Sequence, residues 1–421
     1  MGFLWYFVFR TCLEDNTFEF EYKLNNTQSI KNYIFNTLGN TLDCDILEYE
    51  FLREILMIIG VPKEIKPSEY RVGITPSTAS RLIEENHTVL VQKNSGEGIG
   101  ATDDDYVKVG VKVVDGPEEI FKNSNMIVKV KEPQESEWKM LKEEQILFTY
   151  LHLAADPKQA KGLIDAKCHA IAYETITDNK GALPLLAPMS EIAGRLAVFE
   201  GAYHLKKTCG GPGSLISGVP GVKPAKVIIL GGGMVGTNAA QMAIGVGADV
   251  TIFDKSIERL RYLNDIFGNS AKVLYSEPLE LKSQLVDADL VIGAVLIPGA
   301  SAPKLIEKSF LSKMKNNSVL VDVAIDQGGC FETSKPTTHQ NPIYYENGVL
   351  HYCVANMPGS VPKTASYALN NVTANYISKI ASLGLEALEQ DQNLAMGLNV
   401  SKGQITHSAV KEALLETVSC N

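Results

Sequence analysis

A glycine-rich turn between an apolar run and a helix-like stretch constrains the fold of this chain more than any other feature. The run AKVIIL ends at Leu230, and GGGMVG with TNAAQMAIGVGA follows it. Gly231, Gly233 and Gly236 have the G-x-G-x-x-G spacing, in which the first glycine permits a tight turn, the second lets the backbone approach a pyrophosphate and the third lets helix pack on strand. The spacing alone is a weak signal, but a strand before it and a helix after it favour a dinucleotide site.

The acidic residue that such a site requires is also present. The next apolar run, DVTIFD, ends in Asp254, about twenty residues after the glycines, where a carboxylate binds the ribose 2′-hydroxyl. An acid at this position repels a 2′-phosphate, so the sequence predicts NAD rather than NADP. The basic neighbour Lys255 weakens that preference slightly. A purely structural glycine turn is the alternative.

Composition excludes several function classes. The net charge of −10 argues against nucleic-acid binding, which needs a basic face. No apolar run approaches the ~20 residues of a membrane helix. The seven cysteines form no CxxC and no metal-ligand spacing, so we expect no metal, free thiols and a cytoplasmic location.

The alternation of apolar runs and amphipathic stretches predicts an α/β fold, and it begins only at Met57 with MIIGVPKE. The first 56 residues differ from this pattern: residues 16–56 are aromatic and Asn-rich without a sustained period, and MGFLWYFVF lacks the basic start of a signal peptide. They are interpreted as the result of a start site placed too far upstream, with a genuine N-terminal extension as the alternative. No function is assigned to them.

Four ionisable residues are candidates for the chemistry. Arg71 follows the first predicted strand and suits a carboxylate, although a solvated surface arginine is the simpler interpretation. Lys131 ends the apolar run MIVKVK, in which Lys129 is the alternative candidate. His152 follows FTYL, although a histidine on an apolar segment is more often a core residue. Asp326 follows SVLVDVAI, and the deeper Asp322 of the same run is interpreted as structural. The carboxyl ends of strands face the ligand crevice in open α/β sheets.

Several segments together resemble the alanine dehydrogenase family, NAD-linked enzymes that interconvert L-alanine with pyruvate and ammonium. The resemblance runs from about Met57 to the C-terminus, and it rests on MIIGVPKEIKPSEYRVGITP, VKVKEP, FTYLHLA, APMSEIAGRLA, the glycine turn, DVAIDQGG and VANMPGSVPKTAS. It implies that Arg71 and Lys131 hold the substrate, that His152 is the general acid/base, and that Asp326 helps to activate water or ammonia beside the nicotinamide.

The resemblance also implies the cofactor contacts. Beyond the three glycines and Asp254, these are Ser190, Met234, Val235, Arg259, Ser276, Val295, Leu296, Val323, Ala324, Ile325, Asp326, Val354, Ala355, Asn356 and Met357.

The architecture implied is a two-domain α/β protein in which a Rossmann-type NAD-binding domain (185–358) is inserted into a discontinuous α/β substrate domain (57–184 and a helical 359–421). A helix near 189–205 is expected to link the two domains. A homo-oligomer, a hexamer by resemblance, is also expected. The alternatives are the soluble α part of a nicotinamide transhydrogenase, a lysine- or saccharopine-type dehydrogenase, and a silent NAD-binding regulator.

Overall fold

The computed structural model describes residues 5–11, 18–24, 56–295 and 302–419. The chain divides into two compact units, Met1–Met57 and Ile58–Asn421. In the first unit, Trp5–Thr11 (β1) and Phe18–Leu24 (β2) form an antiparallel pair. The remainder of the N-terminal extension lies outside the described residues, so whether translation starts at Met57 stays a prediction.

The second unit contains an eight-stranded sheet built from both ends of its sequence, in the order β17-β16-β8-β7-β6-β3-β4-β5. Six parallel strands come from its first part: Ile58–Val61 (β3), Thr88–Gln92 (β4), Lys112–Val114 (β5), Met126–Val128 (β6), Ile146–Thr149 (β7) and His169–Ala172 (β8). Two strands come from its last part: Leu398–Ser401 (β16) and Gln404–Ile405 (β17).

The chain returns at its end to this eight-stranded sheet, called the first sheet below, which agrees with a discontinuous domain. The last segment was expected to be helical, but it also contains two strands. Strand β16 pairs antiparallel with β8, and β17 pairs with β16. Lys402 and Gly403, which join the two strands, both have positive φ, of 49° and 76°. Two such residues form the type I′ turn of a tight hairpin. The short strands on either side lack a period long enough to predict them.

A seven-stranded sheet, called the second sheet below, is formed by the middle of the chain, in the order β11-β10-β9-β12-β13-β15-β14. Its strands are Lys226–Leu230 (β9), Asp249–Asp254 (β10), Lys272–Tyr275 (β11), Leu290–Gly293 (β12), Val319–Asp322 (β13), Ile343–Glu346 (β14) and Val349–Tyr352 (β15). All pair in parallel except β14. The parallel strands follow the 3-2-1-4-5-6 order of a Rossmann fold, which confirms the predicted fold class.

Strand β9 shows why this sheet forms. Val227 and Ile229 are buried in one hydrophobic cluster, whereas Ile228 and Leu230 are buried in another. Because successive side chains point to opposite faces of a strand, both faces of the sheet are covered. The continuous apolar run VIIL is therefore the signature of a buried parallel strand.

Helices of the second unit cover the sheets. They are Pro76–Glu84 (α1), Asp103–Lys108 (α2), Pro117–Asn123 (α3), Glu135–Trp138 (α4), Pro157–Ala166 (α5), Ala187–His204 (α6), Met234–Gly245 (α7), Ile257–Phe267 (α8), Pro278–Val286 (α9), Pro362–Leu383 (α10), Glu386–Gln390 (α11), Gln392–Ala395 (α12) and Ser408–Ser419 (α13). Within the described ranges, no helix combines the length and apolar character needed to cross a membrane.

Helix α6 links the two sheets, as expected for 189–205. Near the start of α6, Met189 accepts a hydrogen bond from Arg71, which lies in the segment between β3 of the first sheet and α1. Farther along, a Cβ on Gly194 would lie 2.2 Å from the carbonyl oxygen of Val235, so only glycine permits this approach to α7. The boundaries at 184/185 and 358/359 stay predictions, because Ile58–Asn421 is one compact unit.

Candidate active site

The glycine turn has the geometry of a phosphate-binding loop. Gly231 has a φ of +98°, and Gly236 packs so closely that a Cβ there would lie 1.8 Å from the carbonyl oxygen of Gly231. These two glycines are required by the chain itself. A Cβ on Gly233 would meet nothing within 4 Å. Gly233 stands at the start of α7, so the open space at a helix N-terminus is available to an anion.

Asp254 and Arg259 hold this turn in shape. The two carboxylate oxygens of Asp254 accept hydrogen bonds from the backbone N–H groups of Gly232 and Ser256, at 2.7 and 2.8 Å. From the other side, Arg259 donates to the carbonyl oxygen of Gly232 at 2.5 Å and to Oγ1 of Thr237 at 2.7 Å. The carboxylate is thus oriented at the end of β10 before any ligand binds.

A cavity of about 740 Å³ opens in front of the turn, a volume typical of cofactor sites. Eight of the cofactor contacts implied by resemblance line it: Ser190, Gly231, Gly233, Met234, Val235, Asp254, Ser276 and Val295. Gly236, Arg259, Val323–Asp326 and Val354–Met357 do not line it. Leu296 lies outside the described residues.

One wall of this cavity was not predicted from the sequence. The loop before α6 supplies Asp178 and the run Gly181–Pro184. Asp178 shapes the loop, because its Oδ1 accepts from the backbone N–H groups of Lys180 and Ala182, both at 2.8 Å. The Gly- and Pro-containing stretch DNKGALP was the available signal, since ligand-binding residues concentrate on such loops.

Arg71 is buried rather than solvated, with a side chain 2% exposed. Its Nε and Nη2 atoms donate to the two carboxylate oxygens of Glu69, at 2.7 and 2.5 Å. Nη2 also donates to Oδ1 of Asn356 at 2.7 Å, and Nη1 to the sulfur of Met189 at 3.1 Å. Burial favours the neutral form of Glu69, but the hydrogen bonds and charge of Arg71 outweigh it and hold the pKa of Glu69 at about 2. Both members of the pair are therefore charged.

The structure distinguishes the two candidate lysines. Lys129 is fully buried, and its Nζ atom donates to Glu64 at 3.0 Å and to Glu137 at 2.7 Å. Lys131 has a side chain 10% exposed, and its nearest carboxylate oxygen, on Glu132, lies 3.9 Å away. Lys129 is held in a buried ion cluster, whereas the ammonium of Lys131 makes no ion pair closer than 3.9 Å.

His152 is not a core histidine, because its side chain is 41% exposed. It follows β7 in the left-handed region, with a φ of +51°. Its backbone N–H donates to Oε1 of Glu174 at 2.6 Å, and its ring stacks on Tyr150 with centroids 5.9 Å apart. The hydroxyl of Tyr150 donates to the carbonyl oxygen of Leu185 at 2.6 Å. The imidazole is thus presented at the surface of a fixed aromatic ring.

Asp322 and Asp326 have different environments. Asp322 is fully buried and accepts from the backbone N–H groups of Ala324 and Cys330 and from the hydroxyl of Ser334. Burial raises the pKa of Asp322. Asp326 is exposed on the 3₁₀ turn Val323–Gln327, and its carboxylate makes no hydrogen bond or ion pair with the described residues. Asp322 shapes the turn, whereas the carboxylate of Asp326 faces away from these contacts.

Each candidate follows the carboxyl end of a strand. Lys131 and His152 follow β6 and β7, which are neighbours in the first sheet, and Arg71 lies on the segment after β3, the next strand. A Cβ on Gly73 would lie 2.6 Å from the carbonyl oxygen of Val128, so this segment returns against the end of β6. Asp326 follows β13 of the second sheet. This is the edge where ligands bind in open α/β sheets.

Arg71 also borders a second cavity, of about 420 Å³. Its other charged lining residues are Lys63, Glu64, Lys66, Glu69 and Glu97. In the described residues, no cluster of three or more His, Cys, Asp or Glu side chains is arranged to hold a metal ion.

Comparison with known proteins identifies the family. The family model "Alanine dehydrogenase/PNT, N-terminal domain" matches residues 60–193, and the corresponding C-terminal domain matches residues 197–408. An alanine dehydrogenase of Halomonas elongata is 53% identical over 358 residues, 85% of this chain and 96% of that protein. A solved L-alanine dehydrogenase has 51% identity and a TM-score of 0.83, over 86% of this chain and 99% of that one.

A transhydrogenase from Sinorhizobium meliloti is also similar in structure. Its TM-score is 0.71 at 22% identity, over 84% of this chain and 99% of that one. This comparison shows a shared fold only.

Proposed function

Because this chain belongs to the alanine dehydrogenase/PNT family, we propose that it oxidises L-alanine to pyruvate and ammonium with NAD and catalyses the reverse reductive amination. The observation that carries the proposal is the placement of Arg71, Lys131 and His152 after three neighbouring strands of one sheet. The enzymes named alanine dehydrogenase match at 50–53% identity over 96% of their length. The transhydrogenase-like alternative is not favoured.

The described residues fit a dinucleotide. The open space at Gly233, at the N-terminus of α7, would hold the pyrophosphate, and Asp254, at the end of β10, would bind the ribose hydroxyls. The negative charge of Asp254 disfavours a 2′-phosphate, which supports NAD over NADP. When bound, the nicotinamide group accepts a hydride in one direction and supplies it in the other.

The carboxylate of the substrate binds at Arg71. Glu69 accepts from Nε and Nη2, and Asn356 also accepts from Nη2. Among the described residues, the hydrogen-bond acceptor at Nη1 is the sulfur of Met189. A thioether is a weak acceptor, so a substrate carboxylate displaces it at little cost. Lys131 then polarises the carbonyl oxygen of pyruvate or stabilises the developing charge at that position.

Proton transfer is assigned to His152 and Asp326. The amine of L-alanine must be neutral when the hydride leaves, because its lone pair forms the iminium. Water adds to that iminium, and His152 with Asp326 moves the protons that release ammonium and pyruvate. A histidine suits this role because its side chain both accepts and donates a proton near neutral pH.

The proposal extends to the assembly and location of the protein. Large apolar side chains are exposed on α6 and the loop after it (Phe199, Tyr203, Leu215, Val219 and Val222), and a homo-oligomer would bury them. The resemblance suggests a hexamer. The four cysteines of the described residues are free thiols, which supports a cytoplasmic location. Light scattering of the purified chain and cell fractionation test these two proposals.

The activity is tested by following the absorbance of NADH with purified protein, NAD⁺ and L-alanine at mildly alkaline pH. Parallel reactions contain NADP⁺ or L-lysine. Turnover with L-alanine and NAD⁺ alone supports the proposal. Tight NADH binding without turnover on either amino acid would move the assignment to a silent NAD-binding regulator, and turnover on L-lysine would move it to a lysine-type dehydrogenase.

A further inference from the structure

A buried ion cluster lies beneath the strand end that carries Lys131. Its members are Glu64, Lys129 and Glu137, whose side chains are 2%, 0% and 3% exposed. Each carboxylate accepts a hydrogen bond from Nζ of Lys129. Burying charges costs more free energy than the attraction between them returns unless further hydrogen bonds are made. We therefore infer the function of the cluster from the other hydrogen bonds that its carboxylates make.

The two carboxylates differ in what their second oxygen contacts. Oε1 of Glu64 accepts from the backbone N–H groups of Val130 and Lys131, at 2.7 and 3.3 Å. Oε2 of Glu137 accepts from the backbone N–H of Gln134 at 2.8 Å, at the start of α4. Only Glu64 thus connects the ion cluster to the backbone of Lys131.

The backbone of Lys131 is held from its other side as well. Its carbonyl oxygen accepts from the hydroxyl of Thr149 at 2.9 Å, a residue of the neighbouring strand β7. The lysine side chain has four rotatable bonds, so the position of its ammonium group depends on a backbone that does not move. Glu64 and Thr149 fix the N–H and the C=O of the same residue.

We propose that Glu64 is a positioning residue for Lys131: the Lys129-bound carboxylate clamps the Val130–Lys131 backbone and thereby places the Lys131 ammonium at the substrate. This inference rests on the role proposed above for Lys131. It also explains why two lysines two residues apart differ in function. Lys129 points into the cluster that holds the strand end, and Lys131 is the residue being held.

Glu137 provides a matched control. Glu64→Ala and Glu137→Ala each remove one buried carboxylate from Lys129 and leave the other, so both should lower the melting temperature. Only Glu64→Ala releases the backbone of Lys131. We expect it to raise the KM for pyruvate about tenfold or more with the KM for NADH unchanged, because small displacements of a positioned group have effects of this size. Glu137→Ala should leave both KM values within about twofold of the parent.

Equal shifts of the pyruvate KM in the two variants, or no shift in Glu64→Ala, would overturn the positioning role. If either alanine variant does not fold, Glu64→Asp and Glu137→Asp replace the pair, since both keep the charge and shorten the side chain by one methylene. The same criterion applies to them. Lys131→Ala separates this inference from the proposed function: normal turnover in that variant refutes the substrate role of Lys131, whatever Glu64 does.

Discussion

Nη2 of Arg71 donates a hydrogen bond to Oδ1 of Asn356, a residue 285 positions farther along the chain, at 2.7 Å. The amide nitrogen of the same asparagine donates to Oε2 of Glu69 at 2.9 Å. One side chain from the end of the second sheet therefore contacts both members of the buried ion pair. The proposed carboxylate site depends on residues from both sheets.

The first prediction concerns Asn356, whose φ is +61°. Asn356→Gly removes the amide without straining the backbone, because glycine adopts this conformation freely. We expect the KM for L-alanine and pyruvate to rise about tenfold, since Arg71 loses one of the contacts that orient it. Steady-state kinetics measure this. Asn347→Gly is the control, because Asn347 has a similar φ of +47° at an exposed hairpin turn, and unchanged kinetics are expected there.

The second prediction compares two glycines of the turn. Gly236→Ala places a methyl group 1.8 Å from the carbonyl oxygen of Gly231, so we expect a large fall in melting temperature or loss of folding. Gly233→Ala places it in open space, so the melting temperature should hold while the Kd for NADH rises about tenfold or more. Thermal unfolding and NADH fluorescence measure both. Unchanged NADH affinity in Gly233→Ala would argue against pyrophosphate binding at this turn.

The third prediction concerns His152. His152→Asn removes the imidazole and keeps a residue that tolerates its φ of +51°, so an effect on turnover reflects chemistry rather than backbone strain. The value of kcat should fall by about 10²- to 10⁴-fold, the usual contribution of a general acid/base. NADH affinity and melting temperature should match the parent. Near-normal kcat would remove His152 from the mechanism.

The fourth prediction is a pH dependence of stability. The pKa of Glu69 is about 2 in the folded chain, below its ordinary value of 4.5. A carboxylate with a lowered pKa stabilises the fold above its ordinary pKa, and that stability is lost as the pH falls from about 4.5 towards 2. The loss is roughly 3 kcal/mol at full protonation.

Glu69→Gln tests this prediction because it keeps the shape and removes the titration. Its free energy of unfolding should be lower than that of the parent at neutral pH and should change less between about pH 5 and pH 2. Denaturant titrations at several pH values measure the slope. The control is Glu97→Gln, since the Glu97 side chain is 74% exposed; it should retain the parental slope. An unaltered slope in Glu69→Gln would contradict the prediction.

Much of the fold was predictable because its signals are local. The runs ending at Leu230, Asp254 and Asp322 are strands in the structure, since each is a short apolar segment between polar or glycine-rich turns. The hairpin Leu398–Ile405 was not predicted. Its strands are only four and two residues long, and they are stable because β16 pairs with β8, more than 200 positions earlier in the numbering.

The candidate site also has a part that the sequence predicted and a part that it did not. Residue types at strand ends indicated Arg71, Lys131, His152 and Asp326, because the carboxyl ends of parallel strands share one edge. The contacts of Arg71 with Glu69, Asn356 and Met189 had no sequence signal. Neither did the contact of Glu64 with the Lys131 backbone. Each pairs groups that come together only when separate segments pack.

The sequence by itself determined the α/β class, the dinucleotide turn and the residue types available for catalysis, because apolar periodicity and glycine spacing act over a few residues. Only the tertiary structure decided that Lys129 is committed to carboxylates while Lys131 is not. It also decided that Arg71 is buried against Glu69 rather than solvated. The physical reason is that burial and ion pairing depend on which distant segments pack together, and these set the charge and orientation of each side chain.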